Sequence, residues 1–216
     1  MTTLIKIGGS LIPGHIEALC ASLRDVAAEY PILLIAGGGE LVDVIRSYRK
    51  RLTLSDETAY SMAVLAMDQH AYLLAEMGGF EVSRSMRELM KRRAIPQVFA
   101  PSGLLLNVPI NDVVDIDRMT SDTIAAFVAG WLGTDLIIAT DTDGIYNADP
   151  DVVPDATLLE RVRACELTQA TSVDAEAVRM IRRWNVRTRV VNGTVPDRLV
   201  RCLRGEPTRG TEIVLD

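Results

Sequence analysis

Short apolar runs alternate along this chain with longer stretches whose apolar residues recur every third or fourth position. The segments "LIKIG" (4–8), "PILLIAGGG" (31–39), "IPQVFA" (95–100), "DLIIATD" (135–141), "RTRVVNG" (187–193) and "TEIVL" (211–215) read as strands. Several are apolar on both faces, as strands of a covered parallel sheet are. Between the first two, "HIEALCASLRDVAAEY" sets Ile16, Leu19, Cys20, Leu23, Val26 and Ala27 along one helical face. "ELVDVIRSYRKRL" reads as a further helix. Ser55, followed by Asp56 and Glu57, has the signature of an N-cap for a long helix reaching about Met77. Three more helices are predicted: "SRSMRELMKRR" (83–93), "SDTIAAFVAGWLG" (121–133), and "PDRLVRCLRG" (196–205), which proline opens and glycine closes. Strands separated by helices predict an α/β fold with a mainly parallel sheet between two helical layers. No linker or repeat divides it, so residues 1–216 read as a single domain.

Composition changes this picture little. Apolar residues make up 48% and charged residues 24%, as in ordinary globular chains, and the net charge of −6 argues against nucleic-acid binding. Cys20, Cys165 and Cys202 are odd in number and lack metal-ligand spacing, which suits a reducing compartment. No apolar stretch reaches the roughly 18–20 residues of a membrane span, and no charged leader precedes the first apolar run. The expectation is a cytoplasmic protein with neither membrane nor nucleic-acid partners. One count does matter: of 23 basic residues only Lys6, Lys50 and Lys91 are lysines.

Lys6 lies inside the first strand, where a buried ammonium needs an anionic partner. The strand runs into Gly8, Gly9 and Ser10, and the second strand runs into Gly37, Gly38 and Gly39. Glycines at a strand-to-helix turn let backbone N–H groups approach a phosphate closely. Each loop alone could be a tight turn, the first with a snorkelling lysine; together they suit two anion sites side by side. Neither a Walker pattern nor a G-x-G-x-x-G follows a strand. In "TSDTIAA", Ser121 is expected to cap a helix, with Asp122 in its first turn either as an ordinary capping residue or holding Lys6 or substrate. In "TDTDGIYNADP", Asp141 and Asp143 could hold Mg²⁺ or ribose hydroxyls and Tyr146 could pack on a base, or the segment is an Asx-rich turn. His15 and His70 read as surface or packed side chains, and Met62, Met67 and Met77 as core fillers.

The ordered set "KIGGSL", "IAGGGE", "TSDTIAA" and "ATDTDGIYNADP", closed by "VVNGTVPDRLVRCLRG", resembles the amino acid kinase superfamily over essentially the whole chain. The resemblance implies a three-layer αβα sandwich, with the phosphoryl acceptor over the N-terminal half and ATP over the C-terminal half. It implies catalytic roles for Lys6, on the transferring phosphoryl group, and for Asp122 as its organiser. It gives Gly8, Gly9, Ser10, Thr140, Asp141, Tyr146 and Asp149, with Lys6, to ATP, and Gly37, Gly38, Gly39, Thr120 and Ser121 to the acceptor. Mg²⁺ would share the phosphate charge without a dedicated protein cluster. A homo-oligomer, a dimer at least, is implied, built through the long helix from Asp56. No lysine follows Lys91, so an arginine such as Arg179 is a candidate for the second cation of some relatives. The triple-glycine loop carries no histidine, and no glycine-rich loop precedes "TSDT". These departures leave the chain most similar to the short kinases of methanofuran-type cofactor biosynthesis, whose acceptor is an aminomethyl-furanmethyl phosphate; the alternatives are uridylate or isopentenyl phosphate kinase-like activity, or a non-catalytic nucleotide-binding protein on the same fold. Asp112, Asp115 and Asp117 are candidate partners for that acceptor's ammonium.

Overall fold

The computed structural model describes residues 2–91, 95–107, 120–167 and 172–215. Asp112, Asp115 and Asp117 lie outside them. The strands are β1 (Thr3–Ile7), β2 (Ile32–Ala36), β3 (Glu81–Ser83), β4 (Gln97–Phe99), β5 (Asp135–Thr140), β6 (Arg161–Arg163), β7 (Thr188–Asn192) and β8 (Gly210–Val214). They form one sheet in the order β3-β4-β2-β1-β5-β7-β8-β6, parallel at every pairing except β7 with β8. The helices are α1 (Ile16–Ala27), α2 (Gly39–Leu52), α3 (Asp56–Gly78), α4 (Met86–Leu89), α5 (Ser102–Leu105), α6 (Ser121–Leu132), α7 (Ala175–Trp184) and α8 (Pro196–Arg204).

Alternation within β1 assigns the two faces. Leu4 packs with Ile138, Ile124 and Val128, under α6 and α7, whereas Ile5 and Ile7 pack with Leu19, Leu23 and Leu199, under α1 and α8. The long α3 contributes Val64 and Met67 to the first cluster and Ala71 and Leu74 to the second. The result is a three-layer sandwich. Among the described residues no helix is long and apolar enough to cross a membrane.

Helix ends follow their punctuation. Ser55 accepts a hydrogen bond from Thr58 N at the start of α3, and Gly79 ends it at φ +65. Pro196 opens α8 and Gly205 closes it at φ +71. Residues 81–83, partly expected as helix, instead pair with β4 as an edge strand, and α4 begins only after Ser85, whose side chain caps it. The short β6 and the helix α7 are additions that the sequence reading did not assign.

Candidate active site

β1 and β2 are parallel neighbours in register, Ile7 opposite Ala36, so the glycine loops that follow them leave from the same edge of the sheet. Each loop is tied to the adjacent strand: Gly37 N donates to Ile7 O at 2.8 Å and Gly8 N to Ala139 O at 2.8 Å. The loops then touch. A Cβ on Gly9 would stand 2.3 Å from Gly39 N, and one on Gly37 would stand 2.7 Å from Gly9 N. Gly39 also takes φ +49, which few side-chain-bearing residues adopt. Among the described residues, no acceptor within the protein takes the N–H groups of Gly9, Ser10, Gly38 and Gly39. They can receive an anion.

Lys6 stands between these loops and α6. In register it lies beside Ile35 on β2 and Ile138 on β5. Its Nζ is 2.6 Å from Asp122 Oδ1, with the two side chains 8% and 12% exposed. Such a pair is needed because an unpaired ammonium there would cost several kcal/mol.

Thr120, not Ser121, caps α6, accepting from Asp122 N at 3.2 Å and Thr123 N at 3.3 Å. Its extended backbone places its hydroxyl under the first turn, whereas Ser121 is already helical and its Oγ faces Gly37. The first-turn place expected for Asp122 is the observed one. Two residues to which sequence reasoning assigned no role at the site brace this region. Asp174 accepts from the hydroxyls of Thr120 and Thr123 and caps α7 through Ala177 N at 2.9 Å, joining the two helix starts. His70, read as an ordinary surface or packed histidine, is buried with Nδ1 2.7 Å from Gly37 O. Its spacing from Met67 and Leu74 on α3 was a signal for burial, though not for that bond.

A cavity of about 420 Å³ opens beside the loops. Gly9, Ser10, Gly38, Gly39, Thr120 and Ser121 form one side of it, and Val64, Met67 and Ile124 form apolar wall. Tyr60 completes that wall; burial pushes its hydroxyl up to about 12, so it stays neutral. Glu40, Asp43 and Arg46 of α2 supply the charges.

The loop after β5 meets the first glycine loop at Thr140: a Cβ on Gly8 would lie 3.4 Å from Thr140 Cα, and Gly193 N donates to Thr140 O at 2.7 Å. Asp141 is exposed and accepts from the Thr140 hydroxyl at 3.1 Å. Asp143 is not open to a metal or ribose in the way its spacing suggested. It pairs with Arg198 and, at 2.6 Å, with Arg209, and accepts from Asn192 at 3.0 Å. Burial opposes its ionisation, but the hydrogen bonds from Asn192 and Arg198 and both guanidinium charges outweigh that and hold the carboxyl below its usual range. Tyr146 hydrogen-bonds Arg209, and with Asp143 this pushes the guanidinium further up. Asp149 is exposed and accepts from Asp151 N at 3.0 Å within its own turn, an Asx motif. Arg179 is engaged by Glu176 through both carboxylate oxygens, at 2.9 and 3.0 Å. Among the described residues no three His, Cys, Asp or Glu side chains converge as a metal site.

Comparison with known proteins gives a consistent picture. The family model described as the amino acid kinase family matches residues 1–192. The [5-(aminomethyl)furan-3-yl]methyl phosphate kinase of Methanocaldococcus jannaschii is 31% identical over 218 residues, covering 98% of this chain and 97% of the relative. The uridylate kinase of Thermofilum pendens is 28% identical, covering 97% and 96%. The crystal structure of uridylate kinase from Archaeoglobus fulgidus superposes with a TM-score of 0.79 at 24% identity, covering 99% of this chain and all of that one.

Proposed function

The chain belongs to the amino acid kinase family and is a phosphotransferase with ATP as its phosphoryl donor, and from that premise we propose that its acceptor is an aminomethyl-furanmethyl phosphate, converted to the diphosphate. The contact between two glycine loops beside a buried lysine carries this reading. Two anion cradles side by side would suit transfer from one phosphate-bearing molecule to another. The similarity to the methanocaldococcal enzyme over nearly the full length of both chains supports the furan acceptor.

In this reading the acceptor occupies the cavity over the N-terminal half, with its phosphate on the N–H groups of Gly38 and Gly39 and near Gly37, Thr120 and Ser121. An acceptor phosphate oxygen attacks the γ-phosphorus as the bond to ADP breaks. Lys6 faces the transferring group, and Asp122 holds its ammonium in place. Gly8, Gly9 and Ser10 bind the nucleotide phosphates; Thr140, Asp141, Tyr146 and Asp149 line the nucleotide side in the C-terminal half. Catalysis is then positioning plus charge stabilisation. Mg²⁺ would be carried mainly by the phosphates, whose charge it would neutralise, since among the described residues no three carboxylate, histidine or cysteine side chains converge to hold it. A homodimer formed through α3 is part of the proposal.

An ADP-release assay with the aminomethyl-furanmethyl phosphate, UMP, isopentenyl phosphate and acetylglutamate tests it. Turnover is expected to depend on Mg²⁺ and to be fastest with the furan. Faster turnover of UMP or isopentenyl phosphate overturns the acceptor assignment, and ATP binding without turnover of any acceptor overturns the kinase reading.

A further inference from the structure

The charges on the cavity wall do not suit a plain phosphate ester. A carboxylate beside a bound phosphate repels it. Yet Glu40, Asp43 and Arg46 of α2, two carboxylates and one guanidinium, line this cavity. Asp43 and Arg46 settle each other, with the guanidinium 2.7 Å from the carboxylate. Glu40 is left: among the described residues no ion pair or hydrogen bond engages it. It is exposed and follows Gly39 directly, so a carboxylate with no protein counter-charge stands beside the acceptor's phosphate cradle. The rest of the wall, Tyr60 with Val64, Met67 and Ile124, accommodates a small flat or apolar skeleton.

We infer that Glu40 binds a cationic amine on the acceptor, so that the cavity selects small phosphate monoesters bearing a primary ammonium group. The inference rests on reading this cavity as the acceptor site. It moves recognition of the ammonium from Asp112, Asp115 and Asp117 to a residue next to the glycine loop. The carboxylate accepts the ammonium's hydrogen bonds, while the free N–H groups of Gly38 and Gly39 take the phosphate, so an acceptor carrying both charges meets both. A first-turn carboxylate also favours the helix dipole, but that role acts on stability and not on choice of substrate.

The test uses the full chain and pairs of phosphate esters that differ only in having aminomethyl or methyl on the ring, one pair built on furan and one on benzene. The wild type should favour the amine-bearing member in kcat/KM by about 10- to 100-fold, the range of a charge-assisted hydrogen bond. Glu40→Gln should collapse that ratio, Glu40→Asp should keep part of it, and KM for ATP should hold. An unchanged ratio in Glu40→Gln overturns the inference, as does a rise in KM for ATP equal to that for the acceptor. If the wild type turns over both furan esters equally, the inference falls and the kinase reading stands. If it prefers the aminated benzene ester but refuses the furan, the furan assignment falls and the inference stands. Turnover only of acceptors lacking an amine, or of none, overturns both.

Discussion

A lysine buried beside the carboxyl end of a central strand is stable only while its counter-charge stays in place. Replacing Lys6 by methionine leaves Asp122 charged, buried and unpaired, which costs about 3–5 kcal/mol. Removing both charges, as Lys6→Met with Asp122→Leu, should recover most of that loss, because an apolar pair of similar volume needs no compensation. Activity should separate from stability. ADP release is expected to fall by about 100- to 1,000-fold in the single variant and to stay down in the double one. Denaturant melts paired with turnover measure both, and a double variant with wild-type turnover would reduce Lys6 to a structural residue. The sequence marked Lys6 by its cost in a strand and Asp122 by its place in a helix turn, with holding Lys6 as one reading of that aspartate. Their meeting depends on which sheet face α6 covers, and that is a tertiary fact. The same holds for His70, whose burial follows helical spacing but whose bond to Gly37 O joins residues 33 apart.

At the scale of elements, boundaries were readable where their cause is local. Ser55, Gly79, Pro196 and Gly205 act through their own backbone geometry and the next few N–H groups. The three-residue strands β3 and β6 carry no usable period, and they exist because β4 and β8 offer free edges. Thr120 and Ser121 offer the same hydroxyl chemistry, so only the observed backbone decides which one caps. Asp143 shows an element junction made by charge: it ties the loop after β5 to Asn192 at the end of β7, to α8 and to Arg209 before β8. Its folded-state carboxyl lies below the ordinary value of 3.8. The stabilisation is therefore complete above that pH and is lost as pH falls through the lower folded value. At pH 7, Asp143→Asn should be less stable by about 1–2 kcal/mol in urea titrations. The gap should begin to close near pH 3.8 and vanish only once pH has fallen through the lower folded value. A gap that persists to lower pH would assign the effect to packing instead of charge.

For the whole molecule, the strand order explains why these parts share one place. From β1 the chain goes to β2 on one side and returns as β5 on the other, so the loop after β1 opens at the point where the order reverses. The alternation of apolar runs and helices gives the parallel sheet, but the order, which makes the two glycine loops neighbours, is a tertiary fact. What lies outside the sandwich is less easily read from pattern. Val44, Tyr48 and Leu52 form an outward row on α2, each more than 40% exposed, and Leu65 and Tyr72 lie two turns apart on the outside of α3. Large apolar side chains grouped on two packed helices suit burial against a second copy, which is the homodimer proposed through α3. Light scattering should then give a mass of twice 23.6 kDa for the wild type and 23.6 kDa for Leu65→Glu. Because Leu65 is 46% exposed in the single chain, the charge should leave the monomer's own melt within about 0.5 kcal/mol. A wild type that stays at 23.6 kDa at every concentration removes the dimer. A variant that keeps the doubled mass places the contact away from Leu65. Since α3 also carries Tyr60, Val64, Met67 and His70 against the glycine loops, loss of the dimer should raise the acceptor KM more than the ATP KM.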